Sequence, residues 1–313
     1  MKLIVDTDPG TDDAIALLWA LANDLLYRFE IMAVTTTEGK LKRRVTFDNA
    51  CRLLDFCRRD DIPVARAAPH AGENALHIHG KDGLGGLSGM LPKVSKSFDD
   101  AARAPHQLKR LLERAPGEIT IAALGPLTNL AAAEQLQPGI LENTKNIIVL
   151  GGSFGRGNAT PFAEFNAHYN PGALQEVLDT RANVVLIPLD ITRQLDLTPE
   201  HLNAARLTDQ NQRITRFLTR LCSVMSKTMA QHKNEPLFFV HAACAMVYAL
   251  HPELFEAADA HVDIETRGAQ SNVGRTIIRP AGAANVTVLR KIDTHAVRAT
   301  LLRDLAGFAA KLA

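Results

Sequence analysis

At 313 residues, with 46% hydrophobic, 22% charged and 5% aromatic side chains, the chain has the composition of an ordinary soluble globular protein and the length to bury a sizeable core. Its 35 basic and 34 acidic residues leave a formal charge of +1, which excludes the footprint of a nucleic-acid binder. No apolar run could span a bilayer, and the opening apolar strand ends at Asp6 with no secretory pattern, so the expectation is a cytoplasmic protein with neither nucleic-acid nor membrane partners.

In chain order, Lys2 to Val5 reads as a buried strand, and Pro9-Gly10 turns the chain sharply into a helix over Ala14 to Ala22. Strand-like runs recur at Ile31 to Thr36, Val64 to Ala67, Ile119 to Ala123, Asn146 to Leu150 and Val184 to Leu189. Amphipathic stretches fall between most of them, at Arg44 to Arg58, Pro105 to Arg114, Leu127 to Gln135 and Pro171 to Thr180. This alternation predicts an α/β fold, an open and mostly parallel sheet with helices on both faces. No linker interrupts it, so 1–313 reads as a single domain. Residues 71–98 break the rhythm with HIHGKDGLGGLSGM, a glycine-rich excursion of the kind used as a functional loop. After Pro199 the pattern is mainly helical to about Leu250. Apolar alternation returns at His261 to Glu265, Arg275 to Ile278 and Asn285 to Leu289, extra strands at the edge of the sheet, before a closing helix from Thr294. Cys51, Cys57, Cys222 and Cys244 lack zinc or redox spacing and read as reduced core thiols.

The stretch Ile4 to Ala14, IVDTDPGTDDA, places Asp6, Asp8, Asp12 and Asp13 where a strand runs through a turn into a helix. Carboxylates this close cannot all stay ionised unless a positive centre balances them. Helix capping accounts for one or two acids, not four. At the carboxyl end of a parallel strand, where open α/β sheets place ligands, the cluster reads as a hard-cation site. Asp6-Thr7-Asp8 superficially matches an Asp-x-Asp phosphatase nucleophile, but Pro9-Gly10 and two further acids follow, and these repel an anion.

Four other polar blocks follow strands: Thr35 to Lys40, His79 to Gly85, Ala123 to Asn129, and Gly151 to Gly155 continuing to Asn158, Thr160, Glu164, Asn166, His168 and Asn170. The glycines of the last block do not follow G-x-G-x-x-G. Its Asn and Glu side chains suit sugar hydroxyls better than phosphates. The Gly125-Pro126 break can leave the Leu124 carbonyl pointing at a ligand, or it can be a plain strand-to-helix turn.

Taken together, DTDPGTDDA at 6–14, VTTTEG at 34–39, HGKDGLGG at 79–86, LGPLTNL at 124–130, GGSFGRGNATPFAEFN at 151–166 and VHAACAM at 240–246 resemble the inosine-uridine-preferring nucleoside hydrolase family over nearly the full length. The resemblance implies a Rossmann-like fold, a homodimer or homotetramer, and hydrolysis of the N-glycosidic bond of a ribonucleoside with a tightly held Ca²⁺. Such cleavage passes through an oxocarbenium-like state, and the metal would hold and acidify the attacking water. By motif matching, Asp8 would ligate the metal and take the water's proton, Asp13 would ligate it bidentately, Leu124 would add its carbonyl, and Asp6 would support them from behind. Asp12 and Asn166 would bind the inner ribose hydroxyls, and Asn158 and Glu164 the 5′-hydroxyl. His241 matches the family's histidine near the base, a general acid, and His79 a loop histidine that approaches the base in some members.

Two positions depart from the pattern. The family's aspartate after that histidine, a metal ligand, is Ala242 here, and the asparagine that usually follows the TEG glycine is Lys40. A lost anion and a gained cation in one site leave two arrangements open: the Lys40 ammonium leans into the carboxylates and replaces some or all of the metal's charge, or it faces solvent while water fills the vacated ligand position. With full replacement the chain would bind ribosides without ordinary hydrolysis. Phe98, Phe217, Phe238 and Phe239 are the only aromatics of the segments expected to face the base, and Trp19 reads as core, a supply that disfavours strict purine specificity.

Overall fold

The computed structural model describes residues 1–70, 79–207, 209, 212–233 and 237–312. Its elements run β1 (Lys2–Thr7), α1 (Thr11–Leu25), β2 (Glu30–Thr36), α2 (Arg43–Phe56), β3 (Val64–Ala65), α3 (Ala104–Arg114), β4 (Ile119–Ala123), α4 (Thr128–Leu136), β5 (Thr144–Leu150), α5 (Phe165–Tyr169), α6 (Pro171–Leu178) and β6 (Val184–Ile187). Then come α7 (Leu189–Thr192), β7 (Asp196–Leu197), α8 (Pro199–Ala204), α9 (Arg213–Lys233), β8 (Phe238–Phe239), α10 (His241–Leu250), β9 (Phe255–Ile264), β10 (Thr276–Arg279), β11 (Val286–Ile292) and α11 (Thr294–Lys311).

Nine strands form one sheet in the order β10-β9-β11-β6-β5-β4-β1-β2-β3. All pairs from β3 to β11 are parallel, and β9 pairs antiparallel with both its neighbours. The expected mostly parallel open α/β sheet is therefore observed. Along β1 the side chains alternate between two apolar layers, Leu3 and Val5 against α1, α2, α9, α10 and α11, and Ile4 against α3, α4 and α6. Helix α1 is buried from Thr11 to Asn23 because α10 and α11 cover the side that the sheet does not, so it is apolar nearly all round, Trp19 included.

Register decides where the site lies. Asp6 pairs with Thr35 of β2 on one side and Ala123 of β4 on the other, so the polar ends of the central strands share one edge of the sheet.

Several predicted boundaries move for local reasons. The strand expected to reach Leu189 stops at Ile187, because Pro188 has no N–H for the ladder and opens the helical turn α7. The strand expected over Val64 to Ala67 pairs only at Val64 and Ala65, after which Arg66 bridges to Arg103. Strand β9 begins at Phe255 instead of His261, since its first half pairs with β11 while exposed and carries no apolar alternation. Within the stretch expected to be helical, Phe238–Phe239 pairs antiparallel with Asp196–Leu197. Of the loop 71–98, residues 71–78 lie outside the described residues; from His79 onward Asp82 organises the turn by accepting the backbone N–H groups of Leu84, Gly86 and Ser88 at 3.0, 2.9 and 3.0 Å.

Candidate active site

Asp6, the last acid inside β1, is fully buried. Its Oδ1 accepts from Thr35 Oγ1 at 2.6 Å and Asn129 Nδ2 at 2.7 Å, while Oδ2 has no hydrogen-bond partner. Burial pushes its carboxyl up to about 7, against the pull of those two donors.

Two residues later Asp8 lies between two glycines, Gly39 and Gly125. A Cβ at Gly39 would stand 2.5 Å from Asp8 Oδ2, and one at Gly125 2.8 Å from Asp8 Oδ1, so the close approach of both chains requires glycine. Asp8 Oδ2 accepts the backbone N–H of Lys40 at 3.1 Å, and Oδ1 is buried with no hydrogen-bond partner. Burial raises the Asp8 carboxyl to about 6, with Lys40 opposing.

Asp12 and Asp13 occupy the first turn of α1, where carboxylates suit the helix dipole. Asp13 is engaged by its own neighbourhood, taking the Thr7 hydroxyl at 2.7 Å on Oδ1 and the Gly10 N–H at 3.4 Å on Oδ2. Burial and the adjacent Asp12 and Asp8 raise it well above the carboxylate range. Asp12 Oδ2 accepts the backbone N–H of Ala242 at 3.4 Å, and Oδ1 lies 3.7 Å from the Lys40 ammonium. Burial alone would raise Asp12, but Lys40, His79 and His241 outweigh it and hold it at about 2. Burial likewise works against the Lys40 charge, and Asp12, Asp8, Asp13 and Glu164 together keep its ammonium protonated. Of the two arrangements left open for Lys40, the inward one is adopted; its side chain is 19% exposed.

The sugar-directed block folds over the ends of β4 and β5. Asn166 Nδ2 donates to the carbonyls of Leu124 and Leu150 at 3.0 and 2.9 Å, leaving its own Oδ1 without a hydrogen-bond partner. Glu164 caps the start of α5, accepting from the N–H groups of Gly152, Asn166 and Ala167 at 3.0, 3.0 and 3.1 Å. Asn158 Oδ1 accepts from the Phe165 N–H at 2.8 Å. His241 opens α10 and is hydrogen-bonded through Nδ1 to Thr192 Oγ1 at 2.8 Å; β7 and β8 bring these two residues together. His79 Nδ1 is hydrogen-bonded to Thr11 Oγ1 at 2.6 Å.

Lys40, Leu150, Asn158, Glu164, Asn166, Leu189, Thr192 and His241 line a cavity of about 30 Å³, with Asp8 and Asp12 buried behind Lys40. An open groove of about 660 Å³ between α4 and α6 lies elsewhere and gathers none of these residues. The site thus offers carboxylates beside a fixed cation, amide and carboxylate groups spaced for a polyol, and two imidazoles electrostatically coupled to Asp12.

A model of the inosine-uridine preferring nucleoside hydrolase family matches residues 3–299. The chain belongs to the inosine-uridine preferring nucleoside hydrolase family. It is 34% identical to the pyrimidine-specific ribonucleoside hydrolase RihA of Shewanella woodyi over 93% of each chain. It is 30% identical to the inosine-uridine preferring nucleoside hydrolase of Leishmania major over 88% of this chain and 87% of that one. Among solved structures it superposes on the plant nucleoside hydrolase PpNRh1 with a TM-score of 0.88 at 30% identity, covering 97% of this chain and 98% of that one.

In this nucleoside hydrolase-family chain several residues that hold the site were not singled out from sequence. Asn129 links Asp6 to Thr36 and Ala68; Asn49 Nδ2 donates to the carbonyls of Pro9 and Asp82 and so ties the acidic turn to the loop of His79; Thr192 meets His241. Asn129 had a signal, since it sits in LGPLTNL directly after a strand; Asn49 and Thr192 had none, lying in helical stretches remote in sequence from their partners.

Proposed function

We propose that this chain hydrolyses the N-glycosidic bond of a ribonucleoside or related N-riboside. The observation that carries the reading is the cavity lined by Asn166, Glu164, Asn158 and His241, with Asn166 Oδ1 and, behind Lys40, Asp8 Oδ1 buried without hydrogen-bond partners. Buried polar atoms without hydrogen-bond partners are costly, and a polyol with its own hydroxyl donors would satisfy both. In this mechanism Asp8 takes a proton from water as the water oxygen bonds to C1′. The C1′–N bond breaks with its electron pair going to the base, and His241 donates a proton to the departing nitrogen. Asp12 and Asn166 hold the inner ribose hydroxyls, Asn158 and Glu164 the 5′-hydroxyl, and His79 borders the base. A space of about 30 Å³ holds roughly one water, so riboside entry is an induced fit in which the flexible Lys40 arm gives way.

The Ca²⁺ implied by the family resemblance would draw on Asp8, Asp13 and the Leu124 carbonyl. These residues do not fit it. Ca²⁺ takes six to eight oxygens; here both Asp13 oxygens and the Leu124 carbonyl already accept internal donors, Ala242 supplies a methyl group, and an ammonium stands among the acids. Among the described residues no group of three or more His, Cys, Asp or Glu side chains is arranged to hold a metal ion.

Reducing-sugar release from a panel of purine, pyrimidine and modified-base ribosides tests the reading. Release from at least one riboside, abolished in Asp8→Asn, is expected. A second reading, riboside binding without cleavage, is favoured by Lys40 and Ala242 together; calorimetric binding with no sugar released from any riboside would establish it instead.

A further inference from the structure

We infer that the Lys40 ammonium is the resident cation of the riboside-free site, standing where a divalent metal would otherwise balance the carboxylates, so that the protein holds no such metal. The inference rests on reading this pocket as the riboside site, and its test reads metal binding, which is separable from turnover.

Three observations carry it. First, Lys40 engages the acids from both ends: its backbone N–H donates to Asp8 Oδ2 at 3.1 Å, and its ammonium lies 3.7 Å from Asp12 Oδ1. Lysines ordinarily bury their methylenes and extend the charged head into water. This one lines the cavity and engages the buried Asp8 and Asp12 behind it, an arrangement with a clear electrostatic cause.

Second, part of the ligand set a metal would draw on is engaged elsewhere or missing. Asp13 accepts from Thr7 and Gly10, and Asn166 donates to the Leu124 carbonyl. Ala242 is fully buried at the start of α10, and its backbone N–H reaches Asp12. The side chain at this position is a methyl group, which supplies neither a ligand nor a charge.

Third, the substitutions are electrostatically matched. Removing one negative charge at 242 and adding one positive charge at 40 changes the local balance by two units, the charge of one divalent cation. An ammonium and a divalent ion within a few ångströms of each other repel strongly, so the two occupants exclude one another. The space left beside the ammonium, about 30 Å³, is one water's share.

The test uses the full chain, purified without chelator, with Ca²⁺ as the probe. Elemental analysis is expected to find far less than one equivalent of calcium, magnesium, manganese or zinc per chain. The thermal midpoint is expected to be unmoved by EDTA or by millimolar Ca²⁺, whereas a micromolar site so saturated would raise it by several degrees. The double variant Lys40→Asn/Ala242→Asp is expected to take up about one Ca²⁺ in equilibrium dialysis and to gain a Ca²⁺-dependent rise in midpoint. Stoichiometric metal in the wild-type protein, or a wild-type midpoint raised by Ca²⁺, would overturn the inference even if the double variant does not fold. A double variant that folds yet binds no Ca²⁺ would overturn the assignment of that exclusion to Lys40.

Discussion

Asn129 is where the site and the sheet are most tightly joined, and Asn129→Ala should show it. Its Nδ2 donates to Asp6 Oδ1 at 2.7 Å and to the Thr36 carbonyl at 2.8 Å, and its Oδ1 accepts from the Ala68 N–H at 2.9 Å, all fully buried. Truncation strands the Ala68 donor, the Thr36 acceptor and half of the Asp6 pairing. At about 1 kcal/mol for each neutral bond and somewhat more for the bond to a carboxyl group, the expected loss is about 3–5 kcal/mol. That corresponds to a fall in melting midpoint of roughly 5–8 °C for a chain of this size. Asn129→Asp separates polar pairing from shape. It keeps the acceptor for Ala68 but turns a second oxygen towards Asp6 and Thr36, so the two carboxyls share one proton or repel. A carboxyl whose folded pKa is raised contributes stability at pH values below its unfolded pKa and loses it as pH rises through the folded value. Asp6 alone is already at about 7, so the aspartate variant should approach the wild type below about pH 4 and fall below the alanine variant at pH 8. Urea unfolding followed by the emission of Trp19, the only tryptophan, reads all three proteins. An alanine variant within 1 kcal/mol of wild type, or an aspartate variant indifferent to pH, would refute this account of the junction.

Three further outcomes are expected. Gly39→Ala drives a Cβ to 2.5 Å from Asp8 Oδ2 and 3.0 Å from Pro126 Cδ, so it should cost about 1–3 kcal/mol of stability by thermal melting and a larger share of any sugar-releasing activity, since Asp8 is what must move. Thr192→Val removes the hydroxyl on His241 Nδ1 and should lower kcat about tenfold, the equivalent of one hydrogen bond, with the alkaline limb of the pH–rate profile displaced; an unchanged profile would remove His241 from the proton path. Burial pushes the thiols of Cys51, Cys57 and Cys222 up to about 12 and raises that of Cys244 as well, so none should react with a disulfide reagent at pH 8 until the chain unfolds, when all four should titrate.

What could be read from the sequence was whatever repeats or clusters locally. Strands β1, β2, β4 and β5 are largely apolar runs, and helical stretches such as the strongly amphipathic α3 alternate with them, so the elements and a mostly parallel sheet followed. The acidic turn was visible because its charges are contiguous. The pairing of Phe238–Phe239 with Asp196–Leu197 was not, because two residues carry no period and the partners are far apart in sequence. The same pairing delivers His241 to Thr192, so that contact was hidden with it. The departure at Lys40 was legible as a charge, but its inward direction was not, because nothing in the order of residues says which way a long flexible arm points. Asn49 acts through backbone carbonyls, and Asn129 through a carbonyl and an amide besides the Asp6 carboxyl; every residue carries such backbone groups, so those partners leave no trace in the sequence.

The place of β1 at the middle of the sheet has a consequence for how such a pocket can change. Because Asp6 pairs in register with strands on both sides and Asp8 is wedged between two glycines, the acidic floor is structural masonry, and nearly any replacement there would be felt through the core. The walls are different. Lys40, the segment from Asn158 to Asn166, and His241 with Ala242 lie beyond the strand ends, where one side chain can be exchanged without shifting the sheet. Charge, metal preference and the choice of base can therefore be rewritten at the rim while the floor stays as it is, and directed libraries for new riboside specificity belong at those positions.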